Sequence, residues 1–322
     1  MKNVRLIFVI VLTFTSVLGT AQGKLEATLI ADITLKLSDK SLGGFSGITW
    51  FQGDNWKDGI DFVMVSDASK DGIKPYRLQI TLKTKKIQRE KDVNPRRQEF
   101  YNNPDLEPES VRFRNGLFVG TSEGKSTYWK KVWFLYPERK TMSFTPIKSD
   151  LELKKNSGFE AFDIQSNGVW WVGLERQNDE PSFDDPCPDP DPIKTTMLVS
   201  SMGKTLTYSF RLDPDSVTCR QGLSDMVFYN DTTLITLERR WEPIKDRVLA
   251  GLYEVNMNTG KTNSLSLIHE KVEKVGNLEG MSLGPAIKKN GIEYISLIVI
   301  ADNNFGEGGL KNQILLFGLK EN

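Results

Sequence analysis

Carboxylates recur in pairs along this chain, at the two ends of a repeated pattern of short apolar segments. One acid opens an apolar segment and a second acid closes the segment that follows, as Glu160 and Glu175 do. Clustered carboxylates can hold a hard cation, and they can act as general acids and bases. The opening positions are Ser46, Glu109, Glu160, Asp225 and Glu279, and the closing acids are Asp67, Glu123, Glu175, Glu238 and Asp302.

The segments between these acids have the pattern of β-strands. Short alternating or apolar stretches are separated by turns rich in Gly, Asn, Asp and Pro, and almost no stretch keeps helical spacing. Turn signals occur at Asn115-Gly116, Ser166-Asn167-Gly168 and Asn230-Asp231. Because the pattern recurs at a loose period, it indicates a repeat architecture. We therefore predict an all-β fold built from four-stranded units.

The number of strands in the last unit indicates how the repeated units close into a ring. The last unit has strands only at 281–283, 292–300 and 313–319, and an unassigned strand at 25–37 lies near the start of the chain. Four-stranded antiparallel units that close into a ring form a β-propeller, which protects the sheet edges. We predict five four-stranded blades, with six as the alternative, and expect the N-terminal strand to close the last blade. A two-sheet sandwich is another alternative, but it leaves the repeated acids unexplained.

Strand direction predicts where the acids lie in such a ring. The second strand of a blade returns antiparallel to the first, so both acidic positions of a blade lie on the same face. Carboxylates gathered around one channel mouth would raise one another's pKa unless cations offset them. Basic side chains that follow the closing acids are one source of positive charge, and calcium or magnesium is another. We also expect some of the acids to accept hydrogen bonds from loop N–H groups and to fix the blade geometry.

These positions lead to an enzyme hypothesis. A divalent cation, calcium before magnesium, would neutralise phosphate charge and lower the pKa of a bound water, and a carboxylate would accept the proton. The candidate catalytic residues, which also bind the metal, are Glu109, Glu160, Asp225 and Glu279. Further candidate metal ligands are Asp67, Glu175, Glu238 and Asp302. The candidate substrate-binding residues are Arg176, Arg239, Lys125 and Asn303.

The sequence lacks the features that nucleic-acid binding and serine-hydrolase catalysis would need. The sequence has 42 basic and 42 acidic side chains, which gives no electrostatic footprint for nucleic acid. His269 is the one histidine, and we predict it at the outer edge of a blade, far from the mouth. A serine hydrolase of the usual kind would therefore lack its base. Ser46, Ser110 and Ser224 are expected to bond to the backbone instead.

Residues 1–21 have the features of a secretory signal peptide. Lys2 and Arg5 precede an apolar run at 6–18, and Gly19-Thr20-Ala21 supplies a cleavage site. We therefore expect a periplasmic or secreted protein, a monomer with no membrane span, whose single β-propeller domain covers 22–322. In an oxidising compartment Cys187 and Cys219 can form a disulfide, and two free thiols are the alternative.

Several motifs, taken in their order along the chain, resemble those of the phytase-like family, which is labelled "esterase-like activity of phytase". They run from Gly43 to Phe317 and comprise Gly43-Gly44-Phe45-Ser46-Gly47-Ile48, Asn156-Ser157-Gly158-Phe159-Glu160-Ala161, Gly222-Leu223-Ser224-Asp225, Leu237-Glu238-Arg239, Asn277-Leu278-Glu279-Gly280-Met281 and Ala301-Asp302-Asn303-Asn304-Phe305. The resemblance implies an exported β-propeller and a phosphoester hydrolase that acts on a small molecule. A related hypothesis is hydrolysis of a carboxylic ester or lactone, and a propeller that only binds a ligand or an envelope partner is the alternative.

Overall fold

The computed structural model describes residues 24–34, 44–50, 60–66, 76–80, 106–122, 131–139, 141–147, 158–175, 195–212, 221–242, 247–302 and 312–322. The signal peptide prediction at 1–21 and both cysteines, Cys187 and Cys219, lie outside these ranges. No helix within the described ranges has the length and apolarity that a membrane crossing requires. Their helical content is a single turn of 3-10 helix at Ile268–Glu270.

The described strands form antiparallel sheets in which consecutive strands are neighbours. The first sheet contains β2 (Phe45–Trp50), β3 (Ile60–Ser66) and β4 (Tyr76–Ile80). The second contains β5 (Arg112–Arg114), β6 (Leu117–Gly120), β7 (Lys131–Tyr136) and β8 (Thr141–Pro146). The third contains β9 (Phe159–Ile164), β10 (Trp170–Leu174), β11 (Thr195–Ser200) and β12 (Thr205–Ser209).

The fourth and fifth sheets have the longest strands. The fourth contains β13 (Gln221–Asn230), β14 (Thr233–Glu242), β15 (Arg247–Asn256) and β16 (Thr262–Leu267). The fifth contains β17 (Asn277–Lys289), β18 (Ile292–Asp302), β19 (Gln313–Glu321) and β1 (Leu25–Thr34), and β1 pairs with β19 from Leu25 opposite Glu321 to Thr34 opposite Gln313.

The first strands of the sheets pack side by side around an axis. β2 contacts β5, β5 contacts β9, β9 contacts β13, β13 contacts β17, and β17 contacts β2. This radial arrangement of antiparallel sheets is a β-propeller, and the predicted all-β propeller class is confirmed. Glycine permits one close approach, because a Cβ atom on Gly280 would lie 3.0 Å from the Cα atom of Gly47.

Turns and apolar faces follow the sequence signals. Asn115 and Gly116 join β5 to β6 with φ of 51° and 79°, the left-handed conformation that a two-residue hairpin needs. The sheets bury Val, Ile, Leu and Phe side chains between them, including Ala161, Leu223 and Met281 in one cluster that spans three sheets. Removing apolar surface from water stabilises the fold by about 25 cal/mol per Å².

Candidate functional site: an arginine enclosed by carboxylates

A cluster of charged side chains lies where the third, fourth and fifth sheets meet. Its centre is Arg239 on β14, whose Nη1 donates hydrogen bonds to Glu279 and, at 2.5 Å, to the Oδ1 atom of Asn277. The Nη2 atom lies 3.5 Å from Oε1 of Glu175 and 3.6 Å from Oε2 of Glu160. We call these five residues the mouth cluster. Its charges come from three different sheets.

Irregular pairing aims two of the carboxylates at this cluster. The register between β9 and β10 shifts at Glu160, and the register between β17 and β18 shifts at Glu279, so each residue lies in a β-bulge. A bulge leaves one residue outside the ladder and turns its side chain. The corresponding residue of β2 is Ser46, and that of β13 is Ser224, because the register shifts there as well.

Glu175 reaches the arginine from the end of β10. Its backbone N–H donates to the carbonyl of Gly158 at 3.2 Å, and its carbonyl accepts the N–H of Leu223 at 2.9 Å. Its side chain crosses β13 above Gly222, where a Cβ atom would come within 2.9 Å of the Cγ atom of Glu175. Glycine at this position therefore gives the carboxylate its path to Arg239.

The same register explains why an arginine lies between the acids. Leu174, Glu238 and Ala301 each pair with the residue that precedes the bulge, namely Phe159, Leu223 and Leu278. The next residue along each strand is therefore equivalent, and these residues are Glu175, Arg239 and Asp302. In the fourth sheet the acids are thus displaced by one position, and Ser224 and Arg239 take the places that acids have in the third and fifth sheets.

Burial and neighbouring charges change the protonation of Glu279. Burial raises its pKa, the Arg239 guanidinium lowers it, and Asp302 and Glu175 raise it further, with a result of about 8. Burial by itself lowers the pKa of Arg239, but Glu279, Glu160 and Glu175 raise it more strongly, so the guanidinium stays charged. Burial and the neighbouring acids therefore favour the neutral form of Glu279, whereas the permanent cation beside it favours the carboxylate.

The cluster keeps limited access to solvent. The exposed fractions are 17% for the side chain of Arg239, 15% for Glu279, 11% for Glu160 and 6% for Glu175. Asp302 lies close enough to act on Glu279, and its Oδ1 atom also accepts the N–H of Gly44 at 2.7 Å. The predicted gathering of acids at one mouth is therefore found for Glu160, Glu175, Glu279 and Asp302.

Asp225 does not belong to the mouth cluster. It follows the bulge residue Ser224, so its side chain points into the central channel, where Oδ1 lies 2.8 Å from Nη2 of Arg112. The carboxylate also accepts the N–H groups of Met226 and Met281, each at 2.8 Å. Burial raises the pKa of Asp225 to about 6, although Arg112 and the two N–H groups lower it. These contacts give Asp225 a structural role, and its assignment to catalysis and metal binding stays a prediction.

Glu238 is likewise an internal residue. It accepts hydrogen bonds from the Tyr208 hydroxyl, from the N–H of Arg211 at 3.0 Å, from the N–H of Leu212 at 2.8 Å and from Nε2 of Gln221 at 2.8 Å. Burial raises its pKa, and these donors lower it. Its oxygens are occupied inside the fold, and its assignment as a metal ligand stays a prediction. Such bonding to loop N–H groups was predicted for some of the acids.

The remaining predicted residues are less informative. Glu109 is half-buried, and its backbone N–H donates to the carbonyl of Thr121 at 3.2 Å. Ser46 donates to the carbonyl of Pro108, which agrees with its predicted bonding to the backbone. His269 follows the outermost strand β16, and its Nδ1 atom lies 3.1 Å from the carbonyl oxygen of Ala250. Asp67, Glu123, Lys125, Arg176 and Asn303 lie outside the described residues.

The described residues of the mouth cluster do not form a site that fits a calcium ion. Three of its carboxylates surround a guanidinium, which already supplies the positive charge that a cation would bring. No group of three or more His, Cys, Asp or Glu residues among the described residues is arranged to hold a metal ion. The calcium prediction also includes Asp67, so it stays a prediction.

Two buried charges were missed in the sequence. Arg112 and Asp163 form an ion pair in the channel, with Nε of Arg112 3.1 Å from Oδ1 of Asp163. Each lies three residues after an opening acid, Glu109 and Glu160 respectively. A charged residue at the same offset after two opening acids was the available signal.

Comparison with known proteins identifies the family of this propeller. The sequence profile of the Phytase-like family, described as esterase-like activity of phytase, matches residues 40–305. The chain therefore belongs to the Phytase-like family. A search among curated proteins gives no match.

Two solved structures that match this chain are distant from it in sequence. An α-L-arabinofuranosidase from Podospora anserina, in complex with cellotriose, is 8% identical, with 93% of this chain and 98% of that chain covered and a TM-score of 0.43. An endo-arabinase from Bacteroides thetaiotaomicron is 10% identical, with 86% and 94% covered and a TM-score of 0.44. At these values the likeness supports no inference about activity.

Proposed function

We propose that this protein is a hydrolase of small-molecule esters and that the mouth cluster is its active site. The observation that carries the proposal is the arrangement of Glu160, Glu175 and Glu279 around one guanidinium, where burial also raises the pKa of Glu279. Paired carboxylates with different protonation states are the usual means of combining acid and base catalysis at neutral pH. The Phytase-like family, with its esterase-like description, supports the same class of reaction.

Each side chain has a role in the proposed reaction. Glu160 accepts a proton from a water molecule as that water attacks the ester carbonyl. Glu279 donates its proton to the departing alkoxide, and exchange with solvent restores both groups. Arg239 holds the two carboxylates in position and keeps a positive charge beside the developing negative charge.

Charge favours an uncharged ester over a phosphate ester. Among the described residues, Arg239 faces the carboxylates of Glu160 and Glu175, and Asp302 lies near Glu279. A phosphomonoester dianion would be repelled by this set unless another cation joined it. A carboxylic ester or lactone carries no such charge and needs no additional cation.

Phosphoester hydrolysis is the second candidate, because the family description also names phytase. It requires a divalent ion, calcium in our prediction, or the side chains of Arg176, Lys125 and Asn303, which lie outside the described residues. A binding propeller without catalysis is the third possibility. We further propose an exported protein, periplasmic or secreted, in line with the features of residues 1–21.

The number of blades is also part of this proposal. We propose five blades, of which the last contains β1. The grouping of the described strands into five sheets, the pairing of β1 with β19, and the closed series of contacts between β2, β5, β9, β13 and β17 support this count. A closed ring would place the acids of the third and fifth sheets on either side of Arg239.

A substrate panel separates these candidates. The full-length mature chain would be assayed on alkyl esters, lactones, p-nitrophenyl phosphate, bis-p-nitrophenyl phosphate and phytate, each with calcium and with chelator. The proposal predicts turnover of an alkyl ester or lactone that chelator does not abolish and that Glu160→Gln and Glu279→Gln both lower. Turnover of phosphate esters only with calcium would favour the second candidate. The absence of turnover on the whole panel would favour the binding propeller.

A further inference from the structure

Arg112 occupies the central channel with every N–H donor engaged. The side chain is 3% exposed. Nε donates to Oδ1 of Asp163 at 3.1 Å, and Nη2 donates to Oδ1 of Asp225 at 2.8 Å and to the carbonyl of Met226 at 2.6 Å. Nη1 donates to the carbonyls of Val111 at 2.8 Å and Ile48 at 3.3 Å. A guanidinium has five N–H groups, so its donor capacity is used completely.

The two aspartates extend these contacts to the neighbouring strands. Oδ2 of Asp163 accepts the N–H of Phe228 at 2.6 Å, and Oδ2 of Asp225 accepts the N–H of Met281 at 2.8 Å. Arg112 with its two aspartates, which we call the channel pin, therefore bonds to β2, β5, β9, β13 and β17. These are the first strands of all the described sheets.

The channel pin is connected to the mouth cluster along two strands. Asp163 lies three residues after Glu160 on β9, and Met281 lies two residues after Glu279 on β17. Through Asp163 and Asp225 the channel pin fixes the positions of β9 and β17, along the channel axis, relative to β13. A shift of either strand would change the distance from its glutamate to Arg239, and these distances are 3.6 Å or less.

The five N–H donors of Arg112 all bond to groups outside the mouth cluster. It lines a cavity of about 310 Å³, together with Trp50, Phe113 and Leu283, and no residue of the mouth cluster lines this cavity. Any effect of Arg112 on catalysis must therefore be transmitted through the strands.

We propose that Arg112 is a positioning residue for the mouth cluster, which holds Glu160 and Glu279 on either side of Arg239. In its kinetic part this inference rests on the proposed esterase function. Its structural part, the placement of Glu279 beside Arg239 and Asp302, can be measured without a substrate. A purely structural Arg112 would affect stability and leave the cluster unchanged.

The test compares Arg112→Met and Arg112→Lys with Leu135→Ala. Leu135 on β7 is fully buried outside the channel, so its truncation destabilises the fold without touching the pin. Selective labelling of glutamate carboxyl carbons gives the titration of Glu279 by NMR, with Glu279→Gln to assign the signal. Turnover of an alkyl ester gives kcat/KM for the same proteins.

The inference predicts a selective effect. In Arg112→Met the titration midpoint of Glu279 departs from the wild-type value, because the distance to Arg239, whose guanidinium lowers that pKa, changes. The value of kcat/KM falls about 100-fold, as small misplacements of catalytic groups do. Arg112→Lys, with three donors in place of five, gives an intermediate result. Leu135→Ala keeps the wild-type midpoint and kcat/KM.

Other outcomes would overturn the inference or separate it from the proposed function. If both Arg112 variants retain the wild-type titration and kcat/KM, Arg112 acts on stability alone and the inference is wrong. It is also wrong if neither variant folds, because Arg112 then supports the whole ring. If wild-type protein turns over no ester, the proposed function fails, and the NMR titration alone decides the positioning role.

Discussion

Arg239 donates a hydrogen bond to Glu279 across the boundary between the fourth and fifth sheets. The contact exists because Arg239 stands at a position where the equivalent strands of the third and fifth sheets carry Glu175 and Asp302. One cation thereby serves carboxylates from the sheets on both sides. The same contact makes the protonation of Glu279 a reporter of the whole cluster.

The first prediction concerns stability as a function of pH. The folded pKa of Glu279 is about 8 and that of Asp225 about 6, both above their ordinary values of 4.5 and 3.8. Because the folded protein binds these protons more tightly, the two groups contribute most to stability at pH below 3.8. That contribution is lost as pH rises through 6 and then 8. Urea midpoints measured from pH 5 to 9 should decline less in Glu279→Gln than in the wild type.

The second prediction concerns the internal role of Glu238. Replacement by glutamine retains the shape of the side chain. It replaces one acceptor oxygen with an NH2 group, which would face hydrogen-bond donors such as the N–H of Leu212. We expect Glu238→Gln to lower the free energy of unfolding by about 1.5–3 kcal/mol, since hydrogen bonds to charged groups contribute in this range. Urea denaturation measures the loss. An unchanged midpoint would mean that Glu238 is replaceable inside the fold.

The third prediction uses the bulge residue Ser224. Its hydroxyl is buried and has no hydrogen-bond partner among the described residues. A buried polar group without a partner costs about 1–3 kcal/mol, so Ser224→Ala should leave stability unchanged or raise it. Ser110→Ala is the matched control. The Ser110 hydroxyl lies 2.7 Å from Oγ1 of Thr121, so its removal should lower the free energy of unfolding. Equal losses in both variants would contradict the prediction.

The fourth prediction separates the acid from the base by the leaving group. An alkoxide needs a proton as it departs, whereas p-nitrophenolate does not. Glu279→Gln should therefore lower kcat/KM for an alkyl ester by about 10²–10⁴-fold and have a much smaller effect on the p-nitrophenyl ester. Glu160→Gln should affect both substrates alike, because both require an activated water. Equal effects of Glu279→Gln on the two esters would contradict the assignment of Glu279 as the general acid.

The sequence was sufficient for the architecture because the signals are local. Alternating apolar residues and turns such as Asn115-Gly116 predicted strands and hairpins, and the all-β propeller is confirmed. The gathering of Glu160, Glu175 and Glu279 also followed from strand direction alone. Arg239 was among the basic residues expected to pair with these acids, and it was also a candidate substrate-binding residue.

The register of the fourth sheet could not be read from the sequence. Asp225 and Glu238 were aligned with the mouth acids, but the bulge at Ser224 shows that both belong one position away and face the interior. A one-residue displacement reverses the face of a strand residue, and apolar patterning does not fix it where both faces are buried. Arg112 and its partner Asp225 are 113 residues apart, so no local pattern connects them.

Ester hydrolysis at the mouth cluster requires Glu279 to act as the proton donor. The decisive measurement is kcat/KM for an alkyl ester or lactone from pH 5 to 10, in the wild type and in Glu279→Gln. We predict that the wild-type value falls as pH rises through about 8, where Glu279 loses its proton, and that the variant has a low value without this decline. The same decline in both proteins, or no decline in the wild type, would contradict the account.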